Sequence, residues 1–268
     1  MLDKLYIQNP WAAYGVGVVV VIAAAELGRS IGISWGRRQP QALSPDLTTL
    51  VGSALGLLAL MIGFTFSIAL SRFEARLSGV VSEANAIATT SLRARLLPEP
   101  HADEVKKLLH DYVQLRIYYV QLQIDLGRAR PSAISFEQAI AHSNELQKEL
   151  WQHAVAVSAD DPRSRSVGLF IQSLNEMLDL QERRLAASRN RVPGVVFFLL
   201  YAIAFVAIGL SGYAGGLSGD RKGRIPVAIV AVMFGGVIAV VGDLDRSQGG
   251  FITVSQQAME HLLQSMDR

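Results

Sequence analysis

The chain has 268 residues, half of them apolar, no cysteine, and a formal charge of +2 from 25 basic and 23 acidic residues. The lack of cysteine excludes disulfides, thiolate metal sites and cysteine nucleophiles, and the near-even charge offers no basic surface for nucleic acid. Mean hydropathy is +0.29, and the apolar excess sits in four long segments from which charge is missing, as in a chain divided between lipid and water.

The first predicted span runs from about Trp11 to Leu27, with no charge between Lys4 and Glu26 and with Tyr6, Trp11 and Tyr14 as interfacial aromatics at its start. Lys4 beside Asp3 is a poor basic start for a secretory signal and no cleavage site follows, so the segment is expected to stay in the mature protein. The second span, Leu47 to Ser71, opens with Ser44, Pro45 and Asp46 and closes at Arg72. Gly52, Ser53, Gly56, Ala59 and Gly63 give it a small face for close helix approach.

Between Arg72 and Arg191 acidic and basic residues nearly balance and no strand alternation is present, so this stretch reads as amphipathic helices outside the membrane. Val80 to Leu97 continues the second span until Pro98 and Pro100 stop it. Further helices are predicted from His101 to about Leu126, from Ser135 to Val157 and from Ser164 to Arg189, with a turn at Ala159 to Pro162 between the last two. The third span starts near Pro193, is apolar to about Leu210, and leaves through Gly212, Gly215, Gly216 and Gly219. The fourth, Ile225 to Val241, is at the short end of what crosses and is read as a crossing, the alternatives being a segment tilted against partners or a partly re-entrant one.

The chain thus divides into spans one and two at 1–71, a helical extramembrane domain at 72–191, spans three and four at 192–242, and a tail at 243–268. Four crossings place both termini and the inserted domain on one side. Arg29, Arg37, Arg38, Arg221, Lys222 and Arg224 in the short connections pull toward an external insert.

Chemistry-bearing patterns are few. His101 and His110 are nine apart and fall on different helical faces, while His142 and His153, eleven apart, are three turns distant, so neither pair reads as a metal site. No phosphate loop, dinucleotide fingerprint, zinc-protease helix or nucleophile elbow is present, and no enzyme, cofactor or metal is expected. Asp243 and Asp245, beside Arg246 after the fourth span, are either ion ligands or a membrane-boundary cluster.

The stretch Gly63, Phe64, Thr65, Phe66, Ser67 to Arg72, Phe73, Glu74, Ala75 and Arg76 resembles the second-helix segment of bestrophins, where Gly-Phe, a serine three residues past the Phe and an arginine lead the pore helix out of the membrane. Together with Leu96 to Pro100 and the tail from Asp243 to Gln257, the chain resembles the bacterial bestrophin-like family over nearly its whole length. It departs from bestrophins in carrying Phe73 where they have tandem tryptophans, and in lacking their acidic calcium clasp.

The resemblance implies a homo-oligomer, a pentamer, whose second helices surround an axial pore passing inorganic ions. Gly56, Leu60 and Phe64 would narrow it, Ser67 would line it, and Arg72 and Arg76 would sit at its mouth and favour anions. Positions four apart share a helical stripe, so a ring of Leu60 and Phe64 is also a physically sound dewetting gate. The expected fold is an all-α membrane protein with four transmembrane helices and a helical domain between helices two and three. Its partners are lipid, copies of itself and ions. The resemblance also puts the insert and termini in the cytoplasm of a bacterial inner membrane. The competing reading is a non-conducting scaffold or sensor whose helical domain binds a partner.

Overall fold

The computed structural model describes residues 10–38, 45–127, 136–218, 224–246 and 250–267. Its regular elements are all helices: α1 (Pro10–Arg38), α2 (Pro45–Ala94), α3 (His101–Gly127), α4 (Phe136–Asp160), α5 (Arg165–Arg189), α6 (Gly194–Leu217), α7 (Arg224–Asp245) and α8 (Gln257–Met266). Four of the helical stretches, within α1, α2, α6 and α7, are long and apolar enough to cross a membrane. The protein is an all-α membrane protein. Tyr6, Ser44, Arg221 and Lys222 lie outside the described residues.

Two compact units are present. One comprises residues up to Ser71 with Arg191–Arg246, the other Arg72–Asn190 with Ser247–Arg268. The 50 residues of α2 far exceed the roughly 20 that cross a hydrocarbon core, so the helix contributes to both.

In the membrane unit α1 packs along α6 and α7, and the contact between α1 and α6 is made by glycines. A Cβ on Gly28 would collide with the carbonyl oxygen of Gly209, and one on Gly212 with that of Ala25. A Cβ on Gly216 would meet the carbonyl of Arg29. Of the glycines expected to mark the exit of the third span, Gly212, Gly215 and Gly216 are therefore helical and Gly219 lies outside the described residues; α6 runs to Leu217 because its glycines let two backbones touch. Leu58 and Ile62 carry α2 into a core with Val21, Leu200, Ile208 and Ile238. Within α2 the buried Thr65 satisfies its own hydroxyl on the carbonyl of Met61 at 2.7 Å.

In the helical unit, Ile87, Leu109, Tyr112, Leu150, Phe170, Leu174, Met177 and Met259 form a core across α2, α3, α4, α5 and α8. Phe73, on α2, packs against it. Ser164 caps α5 by accepting from Val167 N. The turn before it lies one or two residues later than expected, since α4 continues through Asp160. The tail carries α8, an element absent from the sequence reading, and buries Met259 and Leu262.

Candidate functional site

At 3.6 residues per turn, Leu58, Ile62, Thr65 and Ala69 fall on one side of α2, and all four are buried. Gly56, Leu60, Phe64 and Ser67 fall about half a turn away, and all are exposed, Leu60 at 54% and Phe64 at 60%. Ser53, Gly63 and Ser71 are exposed as well, so hydroxyls and glycines alternate with large apolar groups there.

The outward sides of α6 and α7 differ. Val195, Phe198, Leu199, Phe205 and Val206 on α6, and Ile225, Ile229, Val232, Met233, Val237 and Val240 on α7, are uniformly apolar. Such surfaces suit lipid, whereas uncovered small and hydroxyl-bearing positions in a span suit water or a close helix neighbour.

The other expected site residues turn away from this stripe. Arg72 is half-buried and Arg76 is buried, and both fall on the side of α2 that carries Leu58 and Ala69. Asp243 and Asp245 are buried, and an Asp245 carboxylate oxygen accepts from Val192 N at 2.8 Å, just ahead of α6. That interaction satisfies backbone at the positive end of a helix.

The helical unit encloses a charge network that the sequence reading missed. Glu83 of α2 is fully buried and meets two arginines: Arg116 Nε of α3 lies 2.8 Å from Oε1, and Arg184 Nη1 of α5 lies 2.6 Å from Oε2. The Tyr112 hydroxyl stands 3.2 Å from Glu83 Oε1 and 2.6 Å from Gln181 Oε1, and its single proton serves one of them. Arg184 also donates to Gln256 Oε1 at 2.8 Å, which ties the C-terminal segment to the same carboxylate. Arg76, Arg116, Arg184 and Gln256 line one small cavity beside it.

Burial alone would hold the Glu83 carboxyl neutral, but Arg116 and Arg184 outweigh it and keep its pKa below the ordinary glutamate value. Burial and Glu83 together push the Tyr112 phenol up. The arginines move oppositely. Burial lowers Arg116 but Glu83 more than restores it, whereas burial leaves Arg184 lowered despite Glu83; both stay charged because a guanidinium does not deprotonate in proteins.

A family description, the bestrophin-like domain, matches residues 19–259. The chain belongs to the bestrophin-like family. Its fold is also that of solved bestrophin homologues. A bacterial bestrophin homologue from Klebsiella pneumoniae superposes with a TM-score of 0.66 at 17% identity, over 94% of this chain and 96% of that one. Two single-substitution variants of a homologue from the same organism give a TM-score of 0.67, at 17% identity over 94% and 97% of the two chains, and at 19% over 93% and 98%. No curated protein matches. Within this bestrophin-like chain, α2 is the helix that the sequence resemblance assigned to the pore.

Proposed function

We propose that the protein is a homo-oligomeric ion channel in which α2 helices from several copies surround the conduction path. One observation carries the reading: the uncovered stripe of α2 interleaves Ser53, Gly56, Gly63, Ser67 and Ser71 with Leu60 and Phe64, while the uncovered sides of α6 and α7 are apolar throughout. Hydroxyls turned to lipid cost free energy, and a symmetric ring of α2 helices relieves that cost by facing them to water. Leu60 and Phe64, one turn apart, form the apolar constriction, and Gly56 leaves it wider on one side.

Arg72 and Arg76 turn from the stripe, so they act on ions through their field rather than by contact, and an anion preference from them is weak. The helical unit and both termini face the cytoplasm of a bacterial inner membrane in this proposal.

Planar-bilayer recording of the purified oligomer tests it. Wild-type protein is expected to give discrete conductance, and Leu60→Ala with Phe64→Ala is expected to raise open probability or unitary conductance by relieving a dewetted ring. Silence from well-folded wild type and double variant alike, over a range of salts and voltages, would leave the small-residue stripe as a packing surface in a non-conducting assembly.

A further inference from the structure

We propose that His101, Glu104 and His153 form a binding site on the helical unit for a divalent transition-metal ion of the zinc class. Fifty-two positions separate the two histidines, yet their Nδ1 atoms lie 3.0 Å apart, and Glu104 Oε2 lies 3.5 Å from His153 Nδ1. One donor atom from each of the three falls within 4.8 Å of the others. The rings stand edge to face at 74°, with centroids 5.3 Å apart.

A zinc ion at about 2.0–2.1 Å from each imidazole nitrogen sets tetrahedral N···N separations near 3.3 Å, so the pair needs to open by only about 0.3 Å. The 3.5 Å between Glu104 Oε2 and His153 Nδ1 already suits two donors on one ion. Two imidazoles and one carboxylate are a zinc ligand set, and with Glu104 exposed the fourth position stays open to water.

Core packing holds the donors. Ala102 and Val105 flank the α3 donors, Leu150, Ala154 and Val157 flank His153, and all five are buried in the same core. His101 and Glu104 both belong to the first turn of α3, which fixes their spacing along the helix. His110 contacts Asp267 and Asp111 instead and stands outside the cluster.

The test is titration of chelator-stripped, full-length protein in detergent with Zn²⁺, read by competition with a fluorescent zinc indicator. One Zn²⁺ per chain is expected, with affinity at least about tenfold weaker in His101→Gln and in His153→Gln, and unchanged in His110→Gln and His142→Gln. Glu104→Gln, at an exposed position that folding tolerates, is expected to weaken binding too. Saturating Zn²⁺ should raise the melting temperature of wild type by more than that of any of these three site variants. Absent stoichiometric binding, or binding indifferent to all three substitutions, would overturn the proposal and leave the histidines as a hydrogen-bonded pair.

Discussion

Glu83 is the residue on which the helical unit is most exposed to a single change. Replacing it with glutamine keeps the shape but leaves Arg116 and Arg184 buried without their carboxylate, a loss of about 3–5 kcal/mol for a pair of this kind. Tyr112→Phe removes one hydroxyl from the same network and should cost about 1 kcal/mol. Thermal melts of the purified protein compare the two variants with wild type, and stabilities equal to wild type would show that the network adds nothing to the fold. Its pH dependence has a definite sign. Because the folded pKa of Glu83 lies below the unfolded value, its contribution is complete above the ordinary glutamate value of 4.5 and is lost only as pH falls through the lowered one. Glu83→Gln should therefore lower the midpoint at neutral pH and flatten the acid limb of the melting profile. None of this was legible in the sequence, since Glu83 and Arg116 are 33 positions apart, Glu83 and Arg184 are 101 apart, and each reads alone as a solvated charge on an amphipathic helix.

At the scale of elements, the spans were legible because lipid demands long uncharged runs, and the breaks at Pro98, Pro100 and Pro162 were legible because proline ends helices. What a glycine does was not legible. Gly212 and Gly216 read as the way out of the third span, but they are the points where α6 meets the backbone of α1. Gly212→Val is accordingly expected to destabilise the membrane unit by roughly 1–3 kcal/mol through overpacking against Ala25, while Gly215→Ala, with open space at its Cβ, should be near neutral. Detergent unfolding curves distinguish them. The helix α8 escaped notice because ten residues bearing only Met259, Leu262 and a few neighbours carry too short a period to separate from a tail.

At the scale of the whole molecule, the family and the fold agree, and the remaining question is whether α2 lines a path for ions. The resemblance pointed to Gly56, Leu60, Phe64 and Ser67, and the fold leaves those four uncovered while burying Leu58, Ile62, Thr65 and Ala69 on the opposite side. The sequence alone did not separate the two sides, because Leu58 and Leu60 look alike until their neighbours are known. A cysteine-free chain allows a clean test of that separation. Single cysteines placed along α2 and treated during bilayer recording with a charged, membrane-impermeant thiol reagent report which side meets water. If the uncovered side of α2 lines the path, modification at Leu60, Phe64 and Ser67 changes the current several-fold and modification at Leu58, Ile62 and Ala69 leaves it unchanged. Reactivity on the buried side with silence at Leu60, Phe64 and Ser67 would contradict it.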